Sequence, residues 1–425
     1  MAAGIVAYAV VALVASTLTS AAPRRATAGS SLVARGRQIF RYDTFGDQAF
    51  WGGALQLHRA LEGAKLGGVG PGVSPKTALA VGLKVDAAKI PKSVAAAIKA
   101  GKVNLNSPKT TLALLKLNAV VGVKGFFDRR GHLGSVGITC AVCHSTVDNS
   151  FAPGIGRRLD GWPNRDLNVG AIISLAPNKK PLTDLLKVDV ATLDKVLASW
   201  GPGKFDAELI LDGKAFQPSG RSGATLIPAA LGLAGVNLHT YTGWGSVPYW
   251  NAFVANLEMH GIGNFDDQRL GNADQFPIAA RAGFFHVHHA VDRITSKLPA
   301  LQVYQLSLPI PHARVNRAAF RRGKAIFDGV GRCASCHVPP TFTDAGWNLH
   351  TAGEICIDSF QADRSPTHRY RTTPLRGMVA RMKGGFYHDG RFPTLRAVVD
   401  HYDSCFKLGL SAGEKSDLVQ YLRGL

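Results

Sequence analysis

Apolar and polar positions alternate with a helical period in two neighbouring stretches, "SPKTALAVGL" and "SPKTTLALLKL". Both begin in the same way, with Ser74-Pro75 and Ser107-Pro108. Serine is a preferred N-cap residue, and proline is favoured in the first helical turn. We therefore predict a helix at each stretch, with its apolar face packed inward. The glycine-rich segment "KLGGVGPGVSP" before the first helix predicts a loop.

Two amphipathic segments far apart in the chain share one pattern. Gly323 and Phe327 lie in "RRGKAIFDGVGRC", and Gly36 and Phe40 occupy the same places in "ARGRQIFRYD". The match indicates an internal duplication of a small helical unit, whose first copy is interrupted by roughly a hundred residues. Together these patterns predict a mainly α fold.

The N-terminal stretch from Gly4 to Ala22 carries no charge and ends in "TSAAP". Ser20-x-Ala22 matches a small-residue cleavage site, so residues 1–22 are predicted to be a secretory signal peptide. Arg24 and Arg25 follow the apolar stretch and no basic residue precedes it, which leaves an uncleaved membrane anchor as the alternative. Either interpretation predicts an exported, periplasmic protein, and no later segment is typical of a membrane span.

A second uncharged run extends over 36 residues, from Ser222 to Leu257. Its Gly, Pro, Asn and Thr content argues against a membrane span. It is either an ordinary core segment or the wall of a cofactor pocket that contains Trp244, Tyr249 and Trp250. The first charge after it is Glu258, and a carboxyl group beside an apolar wall tends to have a raised pKa.

Composition sets broad limits on size and partners. The chain has 425 residues, 46% of them hydrophobic, which suits two or three globular domains. The formal charge is +20, but no basic run with interleaved aromatic residues occurs, so a nucleic-acid partner is not predicted. Scattered Lys and Arg instead favour acidic protein partners or association with an anionic membrane surface.

Four of the six cysteines form two copies of one motif. Cys140, Cys143 and His144 make the first Cys-x-x-Cys-His, and "CASCH" from Cys333 to His337 makes the second. Two thiols at this spacing can add to the vinyl groups of a haem, and the adjacent histidine then binds the iron. A shared zinc site, a thioredoxin-like pair and a local disulfide are the alternatives. Two copies that both end in His predict two covalently bound haem c groups.

The C-terminal part, through "YRTTPLRGM" and "GGFYHDGRFPTLRAVVDHYD", resembles bacterial di-haem cytochrome c peroxidases. It also resembles their di-haem relatives, the cofactor-maturing enzyme and the rubber oxygenases. Residues 30–130, which the resemblance does not cover, are predicted from their helical patterns to be a helical extension or insertion. The resemblance implies an N-terminal haem c domain at 131–310 and a C-terminal cytochrome c domain at 311–425. It implies an oxidoreductase that passes electrons from a small, acidic cytochrome c or cupredoxin to peroxide or oxygen at the N-terminal haem. A plain electron carrier without a substrate site, and an oxidase or oxygenase acting on an organic or protein substrate, are the alternatives.

For the C-terminal haem, the resemblance implies His337 as proximal ligand and a second axial ligand near the end of the last motif. The position of that ligand matches Tyr402, with His401 as the competitor. His388 corresponds to a residue close to the haem, with a hydrogen-bonding role. Arg391 is a candidate partner of a haem propionate or, alternatively, an ordinary surface arginine.

For the N-terminal haem, the family pattern is only partly kept. In "LDGWPNRDLN", Gly161 stands where the family has a displaceable distal histidine, so the sixth position at the His144-bound iron is expected to be open. Trp244 resembles the tryptophan that relays electrons between the two haems. Glu258 in "NLEMHG" resembles the distal acid–base residue, with His260 or His239 as alternative groups that would close the site.

Further metals are not favoured by the sequence. Family members often bind calcium between the domains, and Asn164 matches one ligand, but Lys383 replaces a carbonyl donor, so calcium is disfavoured. His286, His288 and His289 in "FFHVHHAVD" suggest a metal site. No carboxylate stands at ligand spacing beside them, so no site is predicted there.

Cys356 and Cys405 remain after the two haem motifs are assigned. Both fall in the predicted C-terminal domain of an exported chain, so a disulfide between them is expected. The alternative is two free thiols. A disulfide would join a loop to the helix that carries Tyr402.

Overall fold

The computed structural model describes the backbone of residues 21–425 and the side chains of residues 29–425. The predicted signal peptide or anchor therefore lies almost entirely outside the described residues. Among the described helices, none combines the length and the hydropathy that a bilayer-spanning segment requires.

The fold is mainly α, as predicted, with 44% helix and 10% strand. The helices, numbered along the chain, are α1 Ala21–Tyr42, α2 Leu57–Glu62, α3 Pro75–Ala80, α4 Lys92–Lys99, α5 Pro108–Lys116, α6 Ala141–His144, α7 Val169–Ser174, α8 Lys180–Leu186, α9 Val190–Trp200, α10 Leu209–Asp212, α11 Val247–Phe253, α12 Pro277–Ala282, α13 Leu298–Leu306, α14 Arg317–Asp328, α15 Phe360–Asp363, α16 Leu395–Phe406 and α17 Ala412–Gly424. Two π-helical segments occur at Ala49–Ala54 and Val254–Glu258.

The strands are short and form two-stranded pairs. They are β1 Val85–Asp86, β2 Val123–Phe127, β3 Leu133–Ile138, β4 Ser145–Val147, β5 Ile155–Gly156, β6 Arg158–Asp160, β7 Lys204–Phe205, β8 Thr225–Leu226, β9 Phe265–Asp266 and β10 His286–Val287. β1 pairs with β5 in parallel, and β2 with β3, β4 with β6, β7 with β8 and β9 with β10 are antiparallel. The strand pairs connect loops between the helices, and within the described residues they do not join into a larger sheet.

The first copy of the repeated Gly/Phe pattern lies on α1, where that helix packs against α13. A Cβ atom on Gly36 would lie 1.9 Å from the carbonyl oxygen of Ala300, so only glycine allows the two backbones to approach this closely. One turn further on, Phe40 packs edge-on against Tyr304, with 5.5 Å between the ring centroids.

The second copy repeats this contact between α14 and α17. A Cβ atom on Gly323 would lie 2.1 Å from the carbonyl oxygen of Asp417. Phe327 packs edge-on against Tyr421, with centroids 5.1 Å apart. In both copies the tyrosine stands four positions after the residue whose carbonyl oxygen contacts the glycine. The two copies of the Gly/Phe pattern therefore make two equivalent helix crossings. The sequence pattern did not identify the partner helices, α13 and α17.

The segment between α1 and the first haem motif packs into the first half of the molecule. Its apolar side chains share one core with residues from β5, α7 and α9, among them Trp51, Leu115, Ile155, Ile173 and Leu197. The buried Trp51 indole also donates to the Met259 carbonyl oxygen at 3.0 Å. A second core combines α1 and α13 with Ala141 of the first haem motif.

The predicted disulfide between Cys356 and Cys405 is present, with 6.0 Å between the Cα atoms. It joins the loop before α15 to the last turn of α16.

The two predicted helices with Ser-Pro starts are α3 and α5, and their caps differ. The Ser74 hydroxyl accepts from the Thr77 backbone N–H at 3.1 Å, so Ser74 is an N-cap as predicted. Ser107 occupies the equivalent position at the start of α5, but its side chain makes no capping hydrogen bond.

This difference provides a matched pair of substitutions. Ser74→Ala should lower the free energy of unfolding by about 1 kcal/mol, because the Thr77 N–H loses its acceptor. Ser107→Ala should change it much less. Urea denaturation of the two variants measures both effects, and equal losses would contradict the assignment of the cap.

Candidate redox site

Each Cys-x-x-Cys-His motif folds into one helical turn. In the first motif, the His144 backbone N–H donates to the Cys140 carbonyl oxygen at 3.1 Å. In the second, the His337 N–H donates to the Cys333 carbonyl oxygen at 2.9 Å. In each motif, this turn sets the backbone positions of the two cysteines and the histidine.

The two imidazoles are held in the same way. Nδ1 of His144 lies 3.0 Å from the Pro228 carbonyl oxygen, and Nδ1 of His337 lies 3.0 Å from the Phe342 carbonyl oxygen. A carbonyl accepts only, so Nδ1 carries the proton and Nε2 keeps its lone pair for a metal. Burial lowers the pKa of His144 to about 4 and also lowers that of His337, which keeps both rings neutral.

Three of the four motif thiols have raised pKa values. Burial raises the pKa of Cys140 and of Cys143 to about 12 and that of Cys333 to about 11. Among the described residues, no cluster of metal-ligating atoms combines cysteines of the two motifs. The alternative of one zinc ion shared by both pairs therefore has no support in the fold.

A cavity of about 420 Å³ adjoins the second motif. His337 and Tyr402 both line it, together with apolar side chains of the C-terminal half. The first half contributes Arg165, Pro228 and Tyr241. The apolar part of the lining includes Phe327, Leu375, Met378, Phe386, Leu395, Val398, Val399, Leu418 and Leu422. This lining suits a flat apolar ring system.

Three arginines reach the same cavity without a carboxylate partner. Nε of Arg165, Arg371 and Arg381 is buried and has no hydrogen-bond partner among the described residues. Burial lowers the pKa of Arg371 to about 9 and that of Arg381 to about 10. An unpaired buried cation is costly, so this cluster fits an anionic ligand in the cavity. The two propionates of a haem would supply that charge, and Arg165, Arg371 and Arg381 would bind them.

Tyr402 and His401 point in different directions from α16. Tyr402 lines the cavity that His337 also lines, and burial raises the pKa of its phenol. The cavity lining does not include His401, whose Nε2 lies 3.0 Å from the Ile355 carbonyl oxygen. Successive residues on a helix are about 100° apart, so only one of them can face the ligand. The geometry favours Tyr402 as the second axial ligand.

His388 lines the cavity, as its expected place near the haem requires. Its ring stacks on Tyr370, with 5.2 Å between centroids, and its Nε2 is buried without a partner among the described residues. Arg391 does not line the cavity. Its guanidinium is held by Asp389 and Asp358, so the expected pairing with a propionate is not supported, and Arg371 and Arg381 are better placed.

Glu258 ends the π-helical segment that continues α11. Its buried Oε1 has no hydrogen-bond partner among the described residues. Burial, with smaller contributions from Glu208 and Asp206, raises its pKa well above the usual range. After burial, Glu258 is the other cause of the raised pKa of Cys143, which indicates that the carboxyl lies near the first haem motif.

Trp244 is buried inside an aromatic cluster next to that segment. Its ring centroid lies 5.2 Å from that of Trp250 and 5.9 Å from that of Phe253. Three residues before Trp244, Tyr241 lines the cavity. The backbone carbonyl oxygen of Tyr241 accepts from the backbone N–H of Arg371 at 3.0 Å. Trp244 thus lies in the chain segment that leads from the cavity wall to Glu258.

The two alternative distal histidines have other contacts. Nε2 of His239 lies 2.9 Å from the Val236 carbonyl oxygen, and Arg371, which lines the cavity at the second motif, is among the charges that lower the pKa of His239. His260 stacks on Phe50 with 3.6 Å between centroids. At Gly161 a Cβ atom would lie 2.8 Å from Leu308 in a backbone with φ of +83°, so the fold favours glycine there.

Asn164 and Lys383, the residues considered for calcium, both contact protein groups. The Asn164 side-chain NH2 group donates to the Gly82 and Val142 carbonyl oxygens at 3.0 and 3.3 Å, whereas its Oδ1 is buried without a hydrogen-bond partner among the described residues. Lys383 and Lys84 both form ion pairs with Asp166, two positions after Asn164 in the chain. That calcium is disfavoured therefore stays a prediction.

The cavity arginines were missed by the sequence reading. Arg371 stands inside the quoted motif "YRTTPLRGM", but an arginine beside apolar residues gives no local signal that its guanidinium is buried. Arg165 and Arg381 are separated by more than two hundred positions and meet only through the packing of the two halves.

Similarity to known proteins is confined to part of the chain. The methylamine utilization protein MauG of Methylorubrum extorquens is 32% identical over 121 residues, which cover 25% of this chain and 34% of the relative. MauG of Methylophilus methylotrophus is 28% identical over 124 residues, covering 25% and 36%. The matches thus span about a third of the length of these relatives. They confirm the predicted resemblance to the MauG-like di-haem cytochrome c peroxidases.

Solved structures give more distant matches. A MauG-like protein associated with microbial copper homeostasis aligns with a TM-score of 0.33 at 17% identity, over 49% of this chain and 76% of that chain. Hydrazine synthase of Kuenenia stuttgartiensis, pressurised with xenon, aligns with a TM-score of 0.29 at 18% identity, over 48% and 72%. No protein-family model matches the chain.

The assignment of the axial ligand can be tested by substitution in the haem-loaded protein. Tyr402→Phe should shift the absorption spectrum and raise the reduction potential of one of two haems, because an oxygen ligand is lost. His401→Gln should leave both unchanged, since that ring contacts the Ile355 carbonyl. A shift in His401→Gln with none in Tyr402→Phe would show that the assignment is wrong.

Proposed function

We propose that this chain is an exported oxidoreductase with two covalently attached haems, which reduces peroxide or oxygen at the site next to His144. The observation that carries the proposal is the cavity lined by His337 and Tyr402, where three buried arginines lack a carboxylate partner. Thioether attachment at both motifs and propionate binding at these arginines account for that arrangement. The partial similarity to MauG proteins supports the same class of cofactor and chemistry.

The protein's residues bind and orient the cofactors and handle protons. When bound, the haem irons supply the redox chemistry. His144 and His337 present Nε2 because their Nδ1 protons are held by backbone carbonyls. Glu258, whose carboxyl is enclosed near the first motif and has a pKa raised by burial, would serve there as the proton donor and acceptor.

The aromatic cluster around Trp244 is the proposed electron path between the two haem motifs. Trp244 and Trp250 have ring centroids 5.2 Å apart, and the segment that contains Trp244 continues to the cavity wall at Tyr241. Closely packed aromatic rings would provide the electron path between the second and the first haem. Glu258 lies at the end of the segment that begins at Tyr241. Protons and electrons would therefore both be delivered to the site beside the first motif.

The electron donor is proposed to be a small, acidic redox protein of the cytochrome c or cupredoxin type in the periplasm. The formal charge of +20 would speed its encounter with this chain, because complementary charge raises association rates. The uncharged N-terminal stretch from Gly4 to Ala22 supports export. The same positive charge would favour contact with an anionic membrane surface.

A second function is supported by Tyr402. A phenolate ligand stabilises oxidised iron more than methionine does and lowers the reduction potential. Such a site would favour oxidation of an organic or protein substrate over rapid removal of peroxide. Steady-state assays decide between them: peroxide consumption with a reduced small carrier supports the first function, and turnover only with an added oxidisable substrate supports the second.

The cofactor content is the first experiment. Protein made in a host that attaches haem c should retain its colour after acid–acetone extraction, and its mass should exceed the chain mass by two haems. The double variant Cys333→Ala/Cys336→Ala should lose one haem from this mass. Cys356→Ser serves as the control and should keep both, and loss of colour from the unmodified protein would refute the proposal.

The role of Glu258 is tested by Glu258→Gln, which keeps the shape and removes the proton. Peroxide turnover should fall on the order of 10²- to 10⁴-fold with both haems retained, because general acid–base catalysis contributes that much. Glu62→Gln, a substitution of another buried glutamate, is the control. Unchanged turnover in Glu258→Gln would assign the proton transfer to another group.

A further inference from the structure

Two short strands bring together three metal-binding side chains outside the proposed redox site. β9 ends at Asp266 and β10 begins at His286, and the antiparallel register pairs these two residues directly. His288 follows two positions later, so it projects to the same side of the extended chain as His286. All three side chains are about half exposed: 48% for Asp266, 59% for His286 and 49% for His288.

The distances are those of a compact donor set. Oδ1 of Asp266 lies 2.5 Å from Nδ1 of His286, and Oδ2 lies 2.9 Å from Nε2 of His288. The two imidazole centroids are 4.2 Å apart, and one donor atom from each residue falls within 4.8 Å of the others. Donors at about 2.1 Å from a common ion are about 3 to 3.5 Å from each other, so small side-chain adjustments suffice.

We propose that Asp266, His286 and His288 bind one divalent transition-metal ion of the Zn²⁺ or Cu²⁺ type. Two imidazoles and one carboxylate suit ions of intermediate softness, whereas Ca²⁺ and Mg²⁺ prefer sets of oxygen donors. The solvent side of the three residues is open, so water completes the coordination.

The neighbouring charged and polar groups leave this donor set available. Arg269, the nearby cation, is paired with Asp267 and not with Asp266. His289 is engaged separately, because its Nδ1 lies 2.7 Å from the Gly263 carbonyl oxygen and its N–H donates to Asn264 Oδ1. Within the motif, no carboxylate stands at ligand spacing to the three histidines, and the strand pairing supplies one from twenty residues upstream of His286.

Metal binding at this position would cross-link β9 to β10. Phe265 and Val287, the other residues of these strands, pack in the aromatic cluster that contains Trp244. Asp267, next to Asp266, accepts from the Tyr249 hydroxyl at 2.6 Å in the same cluster. A bound ion should therefore stabilise the cluster, and this inference does not depend on the proposed haem chemistry.

The test is titration of the haem-loaded, full-length protein with Zn²⁺ in competition with a chromophoric chelator. One Zn²⁺ per chain should bind, with a rise in Tm, and Cu²⁺ should bind more tightly. The double variant His286→Ala/His288→Ala should lose this binding and the rise in Tm. His289→Ala, from the same segment, should retain both.

Asp266→Asn provides a second variant that keeps the hydrogen-bonding shape of the cluster. It should bind Zn²⁺ about tenfold or more weakly, because the ligand charge is removed. Absence of stoichiometric binding in the unmodified protein, or equal binding in the double variant, would overturn the proposal. Either outcome would identify Asp266, His286 and His288 as a hydrogen-bonded contact between the two strands only.

Discussion

Each half of the molecule depends on one close helix crossing made possible by a glycine. At Gly36 and at Gly323 the neighbouring helix presents a carbonyl oxygen where any side chain would stand. The close approach places Phe40 and Phe327 in the cores that also contain the two cysteine turns. Phe327 lies 6.4 Å from the His337 ring, measured between centroids. The crossing therefore determines the setting in which each motif folds.

The same construction explains how the first unit tolerates a long insertion. α1 and α13 meet although more than two hundred residues separate them, and the intervening chain forms its own apolar core around Trp51 and Leu115. A helix contact that is fixed by a glycine and an aromatic pair needs no specific connection between its partners. The long intervening segment therefore packs into its own core, while α1 and α13 keep their contact beside the first motif.

Buried charge, more than apolar packing, distinguishes the proposed site. Arg371 and Arg381 reach the cavity without carboxylate partners, and Glu258 keeps a buried oxygen without a donor. Elsewhere in the interior, Arg364 is compensated, because it forms ion pairs with both Asp206 and Asp212. The cavity arginines have no such carboxylate among the described residues, and this difference is the physical basis for proposing an anionic ligand there.

The local parts of the site were readable from the sequence because they depend on short spacings. One helical turn suffices to bring Cys140, Cys143 and His144 together, and the N-cap at Ser74 likewise needs only its own turn. The repeated Gly/Phe pattern was equally local, although it showed only one helix of each pair. The disulfide between Cys356 and Cys405 followed from elimination within one compartment.

By itself, the sequence determined the mainly α class, the two cofactor-attachment motifs and the duplication, since each is set by residues within a few turns of one another. Only the tertiary structure decided that Tyr402 and not His401 faces the cavity, that Arg165 joins Arg371 there, and that Asp266 lies beside His286. These outcomes depend on helix rotation and on strand register. Both are fixed by packing between segments distant in the chain, which no local spacing encodes.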